Sequence, residues 1–267
     1  MSAARAARHR RGPLAAGLLP PLVFGGLFLG AWELFVRVRH IKPFLLPRPS
    51  AVWGELHGNA GLVWNAARVS GTNALVGLVL GAAAGVLVAF AASRFHIVRK
   101  LVTPLAVAVS AMPIIVVASI LYNMISNTSQ VPRRIMAAIV VFFVVFVNVA
   151  KGLTEVTAPQ TELMRSYAAT ETDVLRKVRI PNALSHLFVA LKIAAPLAVI
   201  TAFVSEYFGG VQDGLGNRIT GNIANSKNAV AWAYVCGAIL LGLVFYVAAV
   251  TLERLAMPWQ ARRARRS

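Results

Sequence analysis

The stretch ELMRSYAATETDVLRKVRIP, residues 162–181, is a polar segment in a chain that is otherwise almost continuously apolar. It carries four basic and three acidic residues and ends at Ile180-Pro181. Connections between packed helices are usually short, and long structured ones commonly carry function. A helix-prone polar segment of this length therefore predicts a contact with a partner outside the membrane.

The apolar sequence on either side predicts an all-α integral membrane protein. The 267 residues are 58% hydrophobic and only 13% charged, with a mean hydropathy of +0.68. A soluble domain has about 25% charged residues. Residues 69–93, 101–132 and 229–252 contain no charge. Each of these ranges has the roughly 20 residues that a helix needs to cross the hydrocarbon core.

The hydropathy pattern predicts about six membrane-spanning helices in one transmembrane domain. The first apolar run, Leu14–Val36, is too long for a cleaved signal peptide and no A-x-A site follows it, so we interpret it as a retained span. The predicted spans are 14–36, 68–92, 101–125, 132–153, 183–208 and 229–252. They lie in a domain covering residues 14–256, between basic tails at 1–13 and 257–267.

The distribution of basic residues predicts that both termini lie in the cytoplasm. With that orientation the inside loops and tails hold 18 Lys and Arg residues, and the outside loops hold 9. Membrane proteins concentrate Lys and Arg on cytoplasmic loops. We therefore attribute the net charge of +18 to topology rather than to nucleic-acid binding, and place residues 155–182 in the cytoplasm.

Motifs for catalysis, nucleotide binding or metal binding are missing from the sequence. It contains no GxxxxGK[ST] P-loop and no HExxH, CxxC or GxSxG motif. The five histidines are scattered, and the single cysteine, Cys236, lies in an apolar span. We predict no cofactor and no metal site. If the protein uses ATP, a separate subunit must hydrolyse it.

The polar segment resembles the EAA loop in the permease subunits of bacterial ATP-binding-cassette (ABC) importers. That pattern is approximately E-A-A-x-x-x-G, nine residues, then I-x-L-P. Glu162 takes the acidic position, and Ala168 stands where the pattern has glycine. Val178-Arg179-Ile180-Pro181 matches the closing I-x-L-P. Leu163-Met164 replaces the two alanines, but the spacing is kept throughout.

The resemblance extends over most of residues 30–255. The runs LPRPSAVW and LKIAAPLAVITAFVSEYFGG and the glycine-rich second span resemble nitrate/sulfonate/taurine-type permeases, and thiamine-precursor and riboflavin permeases are similar. This implies a type I importer permease fold with a cytoplasmic coupling helix, in a bacterial inner (plasma) membrane. It also implies a homodimer or pseudo-dimer with the pathway at the interface, two cytoplasmic ATPase subunits and an extracytoplasmic solute-binding protein. The chain would translocate a small polar or anionic organic solute and carry no catalytic residue.

The resemblance further implies a coupling helix over about residues 168–175 that docks on the ATPase. Thr170 is its candidate N-cap, with Asp173 at capping-box spacing. Because alanine disfavours the left-handed φ open to glycine, we expect a helical rather than a kinked turn at Ala168. The alternative is a solvated loop whose charges only set topology. The candidate coupling residues are Glu162, Ala168, Ala169, Thr170, Asp173, Ile180 and Pro181.

Residues that interrupt the predicted spans are candidates for the translocation pathway. Met112-Pro113 and Pro196 lie within spans, where proline frees backbone carbonyls that can line a path. Glu206 is an intramembrane acid, which we expect near the outer interface, either hydrated or paired across a subunit interface. Asn148 is a candidate too, although a helix–helix hydrogen bond is the alternative role.

Two other functional classes would need different sequence features. An ion-coupled secondary transporter would show discontinuous spans, intramembrane carboxylates and an internal inverted repeat. A membrane-embedded enzyme would need clustered His or Asp residues at membrane depth. The sequence shows neither pattern clearly, and copurification with an ATPase subunit would separate an importer permease from both.

Overall fold

The structure of the protein, a computed structural model, describes residues 13–258 except 96, 98, 99, 103, 105–111 and 210. Within this part of the chain all regular structure is helical, as predicted, and a π-helical turn at Leu175–Arg179 joins two of the helices. The helices are α1 (Pro13–Val38), α2 (Pro49–Gly58), α3 (Ala60–Arg94), α4 (Ile114–Met124), α5 (Val131–Thr154), α6 (Ala158–Ser166), α7 (Glu171–Val174), α8 (Ile180–Phe208), α9 (Leu215–Ala224) and α10 (Asn228–Ala256).

Five helical segments are long and apolar enough to cross a membrane, and they confirm five of the six predicted spans. The predicted third span, 101–125, falls partly on residues outside the described ranges. Its described helix, α4, has only 11 residues. The five segments are Leu19–Val38, Ala60–Arg94, Val131–Thr154, Glu171–Phe208 and Asn228–Ala256.

The connections between the long helices lie on two opposite faces of the bundle. One face, which we call the α9 face, contains the ends of α1 and α8 and the starts of α3, α5 and α10. On this face the side chain of Asn228 donates a hydrogen bond to the carbonyl of Phe44. On the other, the α6 face, α3, α5 and α10 end. Near that face, Lys192 of α8 forms an ion pair with Glu253 of α10 at 2.8 Å.

A row of glycines lets α3 and α5 approach closely. A Cβ atom built on Gly81 would lie 2.4 Å from the carbonyl oxygen of Ala138, and one on Gly77 would lie 2.4 Å from the Cβ of Ala137. Gly85 faces α5 in the same way, with Phe142 O at 2.9 Å. The four-residue spacing thus matches the small-residue packing expected between helices in lipid.

The centre of the bundle is formed by α3, α5 and α8. Valines of α5 and alanines of α8 are fully or almost fully buried against each other, whereas many Leu, Val and Phe side chains of α1 and α10 are more than half exposed. An apolar exterior of this kind suits contact with lipid. The buried rows are Val141, Val145 and Val149 on α5, and Ala190, Ala194, Ala198 and Ala202 on α8.

Candidate functional site

The polar segment of the sequence forms two short helices, α6 and α7, on the α6 face. None of the α6 side chains whose environment is described is buried, and Glu162 is exposed. α7 has no buried residue either. The segment is therefore held mainly by its own turns and by its attachment to α8, and it presents its side chains outward.

The turn between the two helices is kinked at Ala168, contrary to the expectation of a helical turn. Ala168 has a φ of 51°, in the left-handed region. Its N–H donates to the carbonyl of Arg165 at 2.9 Å, and the N–H of Ala169 donates to that of Met164 at 3.1 Å. This is the Schellman pattern that ends many helices. These two bonds offset the left-handed penalty, so the turn forms without the glycine.

The second helix begins later than predicted. Thr170 is its N-cap and Glu171 its first residue, so Ala168 and Ala169 lie in the turn rather than on the helix. The predicted capping box is present: the Asp173 N–H donates to Thr170 Oγ1 at 3.2 Å, and the Thr170 N–H donates to Asp173 Oδ2 at 3.2 Å. This box fixes the direction in which α7 leaves the turn.

Pro181 accounts for the π-helical turn between α7 and α8. In a regular α-helix the ring of Pro181 would press against the carbonyl of Lys177 and leave it without a donor. The wider turn at Leu175–Arg179 precedes the proline, and the N–H of Ile180 donates to the carbonyl of Leu175, five residues back. The closing Ile-Pro therefore sets how the segment joins α8.

Asn182 anchors the base of the segment, a role that the sequence did not indicate. Its side-chain amide donates to the carbonyls of Gly152 at 2.8 Å and Glu155 at 3.0 Å, both at the end of α5. These are carbonyls that the helix end leaves without intrahelical donors. Asn182 thus ties the start of α8 to the end of α5.

The segment combines exposed apolar side chains with exposed cations. Tyr167 is 75% exposed, Leu163 56% and Ile180 38%. Arg165 and Arg176 are exposed beside them. Aromatic and apolar side chains next to arginine are typical of protein interfaces, so the arrangement is suited to docking a protein.

We expect Ala168→Gly to stabilise the turn by about 1 kcal/mol, because an L-residue in the left-handed region costs roughly 1–2 kcal/mol. Hydrogen–deuterium exchange should slow about fivefold at the amides of residues 168 and 169, which donate the two turn bonds. The control is Ala169→Gly. Ala169 does not have a positive φ, so glycine relieves no strain there and exchange should not slow. Faster exchange in the Ala168 variant would contradict the prediction.

The structure does not bring the pathway candidates together. Met112 lines an apolar groove of about 460 Å³ between α4 and α5, next to Pro113, which precedes α4. Pro196 lies within the unbroken helix α8 and lines a different apolar groove, of about 390 Å³. Asn148 donates to the carbonyl of Val144 in its own helix at 2.8 Å, and among the described residues it has no bond to another helix.

Glu206 has its hydrogen-bond partners within this chain. It is fully buried near the α9 face, and both carboxylate oxygens accept from the Ser70 hydroxyl at 2.8 Å. The N–H of Gly216, in the first turn of α9, donates to Glu206 Oε2 at 3.0 Å. The Ser70 hydroxyl in turn accepts from the N–H of Leu215. Glu206 therefore fixes the N-terminus of α9 against α3 and α8.

Arg133 is the cation of the same buried network, and its side chain is 0% exposed. Nη1 lies 2.8 Å from Asp213 Oδ1 and 3.7 Å from Glu206 Oε1. Nη1 also donates to Gln130 Oε1 at 2.7 Å, and Nη2 donates to Asn217 Oδ1 at 3.0 Å. Its other acceptors are the Val211 carbonyl and the Tyr122 hydroxyl.

This network joins α3, α5, α8 and α9 at the α9 face. In the sequence, Arg133 is one of the nine basic residues assigned to the outside, and no motif marks Ser70 or Asp213. One signal was present: Arg133 is the third residue of an apolar span, and such a position is costly unless the charge is paired. Its partner Asp213 is 80 residues away, so sequence spacing alone could not identify the pair.

Comparison with known proteins assigns the fold to a transport family. The family model described as "Binding-protein-dependent transport system inner membrane component" matches residues 77–257. The formylaminopyrimidine transport permease protein ThiX of Halalkalibacterium halodurans is 27% identical, covering 91% of this chain and 96% of its own. The riboflavin transport system permease protein RibX of Chloroflexus aurantiacus is 28% identical, covering 88% of each chain.

Solved structures agree on the fold. A chain in the crystal structure titled as an amino acid ABC transporter with histidines superposes with a TM-score of 0.58 at 16% identity. The match covers 77% of the present chain and 95% of the other. The family match spans all of the helices from the second half of α3 to the end of α10. The chain therefore belongs to the binding-protein-dependent transport system inner membrane components, and it is a permease subunit of an ABC importer.

Proposed function

We propose that this permease moves a small polar or anionic organic solute across a bacterial inner membrane, driven by ATP hydrolysis in separate ATPase subunits. An extracytoplasmic binding protein delivers the solute, and two copies of the permease form the translocation unit. The helices move between inward-open and outward-open arrangements as the ATPase subunits close and open.

The observation that carries the proposal is the form of the α6–α7 segment. It projects from the bundle, exposes Leu163 and Tyr167, and continues through the π-helical turn into α8. Since the sequence has no P-loop, the motor must be another chain. A movement of the docked segment would pass directly to α8, which packs at the centre of the bundle.

The proposed orientation places the α6 face and both termini in the cytoplasm. The two-to-one excess of Lys and Arg on that side supports it. The α9 face then looks outward, toward the binding protein. Of the residues named from the sequence, Glu162, Thr170 and Asp173 would shape the docking surface, while Ile180 and Pro181 would set its junction with α8.

The class of solute rests on the relatives. Two of them are named as permeases for formylaminopyrimidine and riboflavin, and a relative from Bacillus subtilis that is 21% identical is named for aliphatic sulfonates. These are small polar organic molecules. The alternative of an ion-coupled secondary transporter gains no support from any of these relatives.

Replacing Leu163 and Tyr167 together with alanine should weaken the binding of ATPase that copurifies with the permease by about 30-fold, since interface aromatic and apolar anchors are each worth about 1 kcal/mol or more. Both side chains are more than half exposed in the isolated subunit, so its unfolding temperature should stay unchanged. The measurement is the ratio of ATPase to permease after affinity purification in detergent.

The matched control replaces Tyr246 and Leu252 of α10, which are 44% and 57% exposed on a membrane span. It removes the same two residue types but should leave ATPase retention intact. Equal retention in both double variants would show that the segment is not the docking surface. If no ATPase copurifies even with the unaltered chain and uptake follows an ion gradient, the proposal fails as a whole.

A further inference from the structure

A cavity of about 790 Å³ with both polar and apolar walls opens on the α9 face between α2, α9 and α10. Both cations and apolar side chains line it, unlike the apolar grooves that contain Met112 and Pro196. Its walls include Phe44, Glu55, Leu62, Arg218, Asn222 and Lys227.

The cavity has a net positive charge, because two cations and one carboxylate line it. Arg218 and Lys227 are exposed, and neither forms an ion pair within the described ranges of the chain. The acidic wall residue Glu55 already accepts from the amide of Asn59 at 2.9 Å. A further cation, Lys42, lies 5.8 Å from the ring centroid of Phe44. The cavity therefore favours an anionic ligand.

The cavity adjoins the ends of apolar helices of membrane-spanning length, where lipid headgroups lie in a bilayer. α10 begins at Asn228, directly after Lys227, and runs through an apolar span. The Asn228 side chain bonds to the carbonyl of Phe44, in the connection that follows the end of α1 at Val38. Exposed tryptophans of the kind that mark membrane interfaces occur at Trp53 and Trp64 on α2 and α3.

We propose that this cavity binds the headgroup of an anionic phospholipid. Arg218 and Lys227 would contact the phosphodiester, the Asn222 amide would donate to a headgroup oxygen, and Phe44 and Leu62 would contact the adjoining glycerol and acyl region. A lipid is favoured over an acidic protein surface because the site adjoins the ends of apolar membrane-length helices and has an apolar wall beside its cations. This inference does not depend on the identity of the transported solute or on the ATPase.

The test is native mass spectrometry of the full-length permease released from nanodiscs that contain equal parts of phosphatidylglycerol and phosphatidylcholine. The unaltered chain should retain phosphatidylglycerol preferentially. Arg218→Gln with Lys227→Gln should weaken that retention about 30-fold, because each cation that contacts the phosphodiester directly contributes at least about 1 kcal/mol, or a factor of five.

Two further variants separate the cavity from general surface charge. Arg39→Gln with Arg48→Gln removes two exposed cations from the same face but outside the cavity, and it should change retention less than twofold. Glu55→Gln removes the acidic wall charge and should increase retention about fivefold. Misfolding would not produce that gain, so the prediction can fail even if the cation variants are unstable.

Three results would overturn the proposal. One is equal loss of lipid in the cavity pair and the control pair. Another is displacement of phosphatidylglycerol by millimolar glycerol phosphate, which would make the site one for soluble anions. The third is unchanged lipid retention together with weakened capture of the cognate binding protein in the Arg218/Lys227 variant, which would make the surface a protein contact.

Discussion

Gly81→Leu should prevent the permease from accumulating as a folded protein. The position faces α5 so closely that a Cβ atom would lie 2.4 Å from Ala138 O and 2.8 Å from the Cβ of Val141. Adding methylene groups to a well-packed core costs about 1–3 kcal/mol even where neighbours can shift. At Gly81 the closest obstructing atom belongs to the backbone of α5, so α3 would have to move away from α5. We therefore expect a loss of stability at or above the upper end of that range.

The matched control is Gly242→Leu, where a Cβ would meet nothing within 4 Å. It adds the same side chain to a membrane span and should leave the protein level unchanged. The measurement is the monodisperse fraction in size-exclusion chromatography after extraction, followed by the unfolding temperature of any recovered protein. Equal recovery of the two variants would show that α3 and α5 are not in close contact.

The close packing of one face of α3 against another helix was predictable because its signal is local. Glycines at positions 77, 81 and 85 recur every four residues, which places them on one helix face, and lipid-embedded helices use such faces for packing. The Thr170–Asp173 capping box is local in the same way, since its three-residue spacing follows from the geometry of the first helical turn.

The conformation of Ala168 was not predictable from its identity. An intrinsic preference of about 1–2 kcal/mol disfavours the left-handed turn. The helix end nevertheless adopts it, because the turn bonds of Ala168 and Ala169 to Arg165 and Met164 form only in that geometry. The sequence pattern located the turn correctly. Whether the turn is helical or kinked depends on whether the two hydrogen bonds together outweigh the cost of the left-handed conformation at Ala168.

The buried network was the least predictable feature, because its members come from distant parts of the chain. Glu206 is 136 residues from Ser70, and Arg133 is 80 residues from Asp213. Nothing within a single span indicates that these groups meet. Burial cost does predict that an intramembrane charge needs a partner, but the partner is identified only once α3, α5 and α8 are packed together.

The network and the α6–α7 segment lie at opposite ends of the same helix. α8 has 29 residues, which corresponds to about 43 Å at 1.5 Å per residue. The segment enters it at Ile180, and Glu206 sits in its last turn. If the network holds the C-terminal end of α8 in place, a displacement at its first turn would tilt the helix instead of sliding it. The strength of the network therefore matters for the proposed mechanism.

Arg133→Met should destabilise the folded subunit by about 3–5 kcal/mol, because removing one partner of a buried ion pair leaves the other charge unpaired. Glu206 would keep its bonds to Ser70 and Gly216 but lose its cation, and Asp213 would lose its 2.8 Å contact. Arg37→Met is the control, since that arginine pairs with Glu33 at 2.7 Å but is 58% exposed. An exposed pair contributes only about 0–1 kcal/mol.

The double variant Arg133→Met with Glu206→Gln tests whether the loss comes from the charge. Neutralising Glu206 removes one unpaired carboxylate while an amide can still bond to Ser70 and Gly216, so the double variant should recover part of the stability that Arg133→Met loses. Denaturant titration in mixed micelles, followed by tryptophan fluorescence, gives the free energy of unfolding for each variant. If the double variant is as unstable as the sum of the two single variants, Arg133 and Glu206 are not energetically coupled, and Arg133 must stabilise α9 mainly through Asp213 and Asn217.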